Sequence, residues 1–190
     1  MYGDSRIAIR KLREEQQPMR EHHGMRPQDV VILLKILCFQ DDAWRQEDIA
    51  AELSISQSEV SEALARSALT GLMDRGKRTV YRKALQEFLL HGLKYVFPAM
   101  PGPIVRGMPT AHSAEPLRGM IRGDGEMYVW PYDHGNARGQ AIEPLYRTVP
   151  EAAAESECLY RLLAVTDAVR VGRARERNLA AQKLQEMLSS

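Results

Sequence analysis

Cysteine, net charge and long apolar runs are all scarce in this sequence, and each scarcity removes a class of protein. With 26 basic and 25 acidic residues the net charge is +1. A uniformly basic coat is therefore excluded, and any affinity for nucleic acid must come from local clustering. No apolar run approaches the roughly 18 residues of a membrane span, and the N-terminus lacks the apolar stretch of a signal peptide. A cytoplasmic protein is expected. Cys38 lies in an apolar run and Cys158 in a predicted helix, far apart and without a CxxC spacing. They are expected to be reduced core residues, neither a disulfide framework nor a metal site.

Catalytic signatures are missing as well. The chain contains no Gly-rich phosphate loop, HExxH or G-x-S-x-G. His112-Ser113 and Asp133-His134 are the pairings that hint at catalysis, and an enzyme would have to gather those histidines with Asp124. Both pairs fall in Pro/Gly-rich segments where polar residues need no special reason. No enzymatic role and no cofactor are expected. His22 and His23 are adjacent, so on a helix they diverge, and no metal role is assigned to them.

What is present is enough apolar material, 44% of 190 residues, for a core that needs no staples. The chain is organised around Arg45 to Met73. Ile49, Ala50 and Leu53 share one helical face, Val60, Ala63, Leu64 and Leu69 another, and only Ser54-Ile55-Ser56 separates them. Ser56 followed by Glu59 is a capping box, so a second helix is predicted from about Gln57. With Gln46 as first position, a small residue (Ala50) stands fifth and apolar residues stand fourth, eighth, tenth, fifteenth and nineteenth. That spacing resembles the DNA-binding helix-turn-helix, whose second helix enters the major groove. The resemblance implies that Gln57, Ser58, Ser61, Glu62 and Arg66 face DNA. One position departs from it: the ninth, usually glycine, is Ser54.

The flanking order resembles winged-helix regulators, the MarR type among them, over about residues 27–97. An apolar helix from Arg26 to Gln40, opened by Pro27, is expected to pack behind the motif as a scaffold. A helix from about Val80 to His91 follows, then Gly92, then a strand at 93–97. A second strand at 126–130 is expected to pair with it and close a β-wing. The connection, 98–125, is rich in proline and glycine and far longer than the family's short hairpin. Between Arg75 and Arg122 nine basic residues (Arg75, Lys77, Arg78, Arg82, Lys83, Lys94, Arg106, Arg118, Arg122) face two acids. This excess is expected to neutralise phosphates.

Residues 136–149 read as irregular, and two helices are predicted at 150–171 and 173–188, broken near Gly172. Their leucine stripes cannot both be buried within the pair, and by the resemblance they are expected to form a dimer interface. Arg170, Arg173, Arg175 and Arg177 near the junction read as salt-bridged surface, with a second phosphate site as the alternative. The expected fold is mainly α with a small β-wing (α+β): a winged helix-turn-helix domain at 26–133 with an enlarged wing or loop, and a C-terminal helical dimerisation segment at 134–190. Residues 1–25 are expected to be an arm or upstream extension, with a short helix at 5–17. The expected function is a sequence-specific, homodimeric double-stranded DNA-binding regulator of transcription acting on a palindromic operator. The alternative is an antitoxin or adaptor that grips a protein partner.

Overall fold

A computed structural model describes residues 24–39, 43–120 and 126–189. The expected helix at 5–17, the histidines at 22 and 23, Asp124 and Arg122 lie outside these. The chain is α+β, with seven helices and a small three-stranded sheet among the described residues.

The first helix, α1 (Pro27–Ile36), begins at Pro27 and is closed by the Asp29 carboxylate accepting the Arg26 N–H at 2.9 Å. Every residue from Asp29 to Ile36 is buried. Such a helix has no polar face and must sit inside the molecule. Next come α2 (Gln46–Leu53) and α3 (Gln57–Leu69), both packed on α1. A short antiparallel bridge between Met73 and Val80 follows α3.

The helix expected to stop at Gly92 does not stop there. Arg82–Glu87, a π-helical turn Phe88–Gly92 and Leu93–Val96 form one helical segment, α4. Residues 93–96 of the strand expected at 93–97 are therefore helical. Its aromatic and β-branched composition is outweighed by the stripe Leu85, Leu89, Leu93, all fully buried and spaced four residues apart. Gly92 permits the continuation, since a side chain there would run into the Phe88 ring.

The sheet comes from elsewhere. Strand β1 (Ile104–Pro109) lies inside the segment expected to be irregular, and β3 (Ala137–Ala141) inside another. The expected strand at 126–130 is close to the observed β2 (Tyr128–Pro131), but its partners differ. The second half of β1 pairs antiparallel with β2 and the first half with β3, while β2 and β3 run parallel, so the three strands close on themselves. Glycine makes that closure possible. A Cβ at Gly107 would strike the Trp130 carbonyl, and one at Gly139 the Met127 carbonyl.

The final helices are α5 (Val149–Ala154), α6 (Glu157–Val171) and α7 (Ala174–Ser189). The single helix expected at 150–171 is split, and Gly172 marks the later break as expected. Helix α6 is buried from Leu162 to Arg170 and packs on α1, α4, α7 and the 3-10 turn Ala111–Ser113 beside the sheet. The stripes expected to seek a second copy are thus covered within the chain: Leu159, Leu162, Leu163 and Val169 join the core, as do Leu184 and Leu188. Buried residues from Val30 to Leu188 form one core.

The sheet is fastened to α6 by a carboxylate. Asp167 accepts hydrogen bonds from Trp130 Nε1 (2.6 Å), Thr110 Oγ1 (3.1 Å) and Arg170 (2.8 Å). Burial nevertheless pushes its carboxyl above the ordinary value, against the pull of those partners. Arg170 is itself buried and also donates to the Glu143 carbonyl, so it is core and not surface.

The cysteines are bonded. Cys38 and Cys158 form a disulfide across 120 residues, with Cα atoms 5.8 Å apart. The expectation of two reduced core thiols fails because the turn after α1 meets the first turn of α6, a contact that sequence distance hides. Among the described residues no helix is long and apolar enough to cross a membrane.

Candidate nucleic-acid interface

The turn between α2 and α3 is built on Ser54, which takes the left-handed conformation at φ 52° and ψ 45°. Glycine would hold this conformation more cheaply. Ile55 is buried beneath the turn, and its N–H donates to the Ala50 carbonyl at 3.0 Å. Ser56 caps α3, its hydroxyl accepting the Glu59 N–H at 3.2 Å.

Only half of the expected capping box forms. The Glu59 carboxylate turns instead to Gln28 Nε2 (2.9 Å), Arg66 (3.1 Å) and Arg26 (3.4 Å). The Gln28 hydrogen bond and the two guanidinium groups hold its carboxyl below the ordinary range, against a smaller opposing effect of burial. Arg66, expected to meet base edges, is buried. Its Nε and Nη2 bind the two Asp29 oxygens at 2.9 and 2.7 Å, and Glu62 approaches Nη1 at 3.4 Å. Asp29 is fully buried, and its hydrogen bonds raise the Arg66 pKa further. Arg66 is thus a fastener between α3 and α1, and presenting it to DNA would leave the buried Asp29 carboxylate without its cation. In sequence the pair is inconspicuous: Asp29 looks like an ordinary first-turn acid and Arg66 like a surface residue.

What α3 presents outward is Gln57, Ser58, Glu62 and Ala65, with Ser61 half-buried. Leu69, expected to line the inner face, is 72% exposed at the end of the helix.

Five residues beyond α3 comes a compact hairpin tip at 74–79. Asp74 organises it: its carboxylate accepts the N–H groups of Thr79 (2.6 Å), Arg78 (2.7 Å) and Gly76 (2.8 Å), which together hold the carboxyl below its ordinary value. Lys77 adopts a positive φ of 58° at the turn. Arg75 and Arg78 are exposed and Lys77 half-exposed, so three cations crown the tip. Arg78 lies over the Trp44 ring at 4.5 Å and donates to the Trp44 carbonyl at 3.0 Å, which fixes the hairpin to the link ahead of α2.

Three further cations of the run are engaged elsewhere. Arg82 reaches the Leu188 carbonyl at the end of α7. Arg106 donates to the Gly135 carbonyl at 2.6 Å within the sheet. Arg118 lines a groove of about 880 Å³ between the sheet and α5–α6, with Met127, Tyr132, His134, Asn136 and Glu157. The basic run is therefore divided by the fold: Arg75, Lys77 and Arg78 stand at the tip beyond α3, whereas Arg82, Arg106 and Arg118 turn to other elements. His112 and Ser113, offered as a catalytic hint, serve the sheet, His112 packing on Tyr128 and the Ser113 hydroxyl accepting the Tyr128 N–H at 2.8 Å. His134 packs against Tyr132.

Among the described residues no group of three or more His, Cys, Asp or Glu could hold a metal ion. Comparison with protein-family models, curated proteins and solved structures returns no match.

Proposed function

We propose that this protein binds double-stranded DNA in a sequence-specific manner and regulates transcription, with α3 in the major groove and the 74–79 tip against the flanking phosphates. One observation carries the reading: the polar N-terminal turn of α3 (Gln57, Ser58) stands free of protein partners beyond its own cap, directly ahead of a rigid hairpin crowned by Arg75, Lys77 and Arg78. The first residues of such a helix meet base edges, and adjacent cations supply the salt-dependent part of affinity. In this reading the tip takes the place that the sequence assigned to a wing at 93–130.

Homodimerisation belongs to the proposal on grounds of reach, because one helix reads only a few base pairs, whereas two copies can address half-sites about 34 Å apart. The pairing surface must be other than the inner faces of α6 and α7, which are occupied. Selection from a random duplex library with the purified chain tests the proposal. Enrichment of a palindromic sequence is the expected result, and recovery of unselected sequence overturns it.

Exposed Glu62 and Leu69 favour a second reading, an antitoxin or adaptor whose α3 grips a protein. A carboxylate repels phosphates, although it can accept from cytosine N4. Purification from a native host separates the two: a stoichiometric protein partner supports the adaptor, and bound duplex without one supports the regulator.

A further inference from the structure

The disulfide ties the turn after α1, the helix behind α3, to the first turn of the central helix α6. Cys158 is its exposed partner and Cys38 its half-buried one. Beside Cys158 the surface dips into a depression of about 220 Å³ lined by Leu37, Arg82, Arg161, Leu162, Met187 and Leu188. Two of these are guanidinium groups. Arg161 stands one turn along α6 from Cys158, and its Nε is buried with no hydrogen-bond partner. Arg82 commits one N–H to the Leu188 carbonyl through a long contact of 3.4 Å, which leaves most of its donors unspent.

A small concavity, a disulfide whose exposed Cys158 lines it, and two cations with spare donors are complementary to one kind of molecule. Guanidinium forks match carboxylates, and a disulfide is opened by a thiolate that can reach it. We propose that this depression is a thiol–disulfide exchange site for a low-molecular-weight thiol bearing carboxylates, with Arg82 and Arg161 binding the carboxylates and Cys158 as the attacked residue.

The exchange balances without a further reagent. The thiolate RS⁻ forms a bond to Cys158 Sγ as the Cys38–Cys158 bond breaks, and the electron pair leaves on Cys38 Sγ, which takes a proton from water. A second RS⁻ attacks its counterpart sulfur in the mixed disulfide, forming RSSR and releasing the Cys158 thiolate. Two small thiols are oxidised and one protein disulfide is reduced. Run in reverse from RSSR, the same steps close the link. The N-terminal end of α6 favours the Cys158 thiolate released in the second step, and does so for every thiol alike. Opening the bond removes the covalent link between the end of α1 and α6, whatever α3 binds.

The test uses the full oxidised chain and three thiols at equal thiolate concentration: reduced glutathione, which is anionic, neutral 2-mercaptoethanol, and cationic cysteamine. Alkylation and mass spectrometry follow the appearance of free Cys38 and Cys158. At low salt glutathione is expected to open the bond about tenfold faster than 2-mercaptoethanol and cysteamine more slowly, with the differences shrinking as salt rises. Arg161→Gln and Arg82→Gln are expected to lower the glutathione rate several-fold and leave the 2-mercaptoethanol rate unchanged. Should either variant fail to fold, the thiol series and its salt dependence in the unaltered chain decide alone. Equal, salt-insensitive rates for all three thiols overturn the proposal, and so do two free thiols in protein purified without reductant.

Discussion

Two buried carboxylates, Asp29 and Asp167, each fasten one half of this molecule, and they do so by different means. Asp29 joins α1 to α3 through a cation from the far helix, Arg66. Asp167 joins α6 to the sheet through neutral donors, Trp130 and Thr110, while its cation, Arg170, comes from its own helix. In the first half the ion pair is the bridge. In the second it is a counter-charge from the same helix, and the span to the sheet runs through Trp130 and Thr110. A buried arginine therefore takes its role from the elements its pair spans, not from its partner alone.

The largest expected effect separates these roles. Arg66→Ala strands Asp29 and should cost about 3–5 kcal/mol in chemical denaturation. Asp29→Leu combined with Arg66→Met should recover most of it, since two apolar groups need no partner. Arg170→Ala should cost less, because Asp167 keeps two donors and its raised pKa lets it take up a proton. Equal losses at the two arginines would break the comparison.

Reduction of Cys38–Cys158 ranks next. Its loop spans most of the chain, so reductant should remove about 2–4 kcal/mol of stability. Thermal melts of the unaltered chain with and without reductant check this, and a Cys38→Ser variant should be insensitive.

The sheet half should show its own weakness at Gly107. Gly107→Ala forces a Cβ against the Trp130 carbonyl and should cost about 1–3 kcal/mol or more, since backbone on both sides resists. Gly71→Ala, at a positive φ of 76° with open space around it, should cost only about 1–2 kcal/mol.

These sites also show how much was legible in advance. Helices α1 to α3 were readable because Ile49, Leu53, Val60 and Leu64 keep helical spacing and Ser56 announces a cap. The sheet was not, because β1 and β3 are short, interrupted by Gly107 and Gly139, and paired by closure rather than by adjacent hairpins. The proline-rich composition of 98–125 masked a strand, and Tyr95-Val96-Phe97 mimicked one. Of the expected DNA-facing residues, Gln57 and Ser58 project outward as read, whereas Arg66 turns inward to a partner 37 positions away that no local pattern reveals. The basic run was legible as a composition but not as a surface, since sequence order says nothing of where Arg82 or Arg106 points.

The smallest effect sharpens the contrast by its sign. Glu59 is held below its ordinary 4.5, so its contribution is complete above pH 4.5 and is lost as pH falls through the folded value. Asp167 is raised above 3.8, so in the window from 3.8 up to its folded value stability falls as pH rises. Glu59→Gln should lower stability by about 0.2–1 kcal/mol at pH 7 and by less at pH 3. Urea midpoints of the variant and the unaltered chain across that range check it, and a gap that widens toward acid would contradict the assignment.

The central claim, that α3 and the 74–79 tip form one DNA-binding surface, is tested most directly by the salt dependence of duplex affinity. Fluorescence anisotropy would compare the unaltered chain with the Arg75→Ala/Lys77→Ala double variant on a selected duplex. The slope of log affinity against log salt is expected to shrink by about one unit per lost phosphate contact. An unchanged slope, or no measurable binding of any duplex by the unaltered chain, would contradict it.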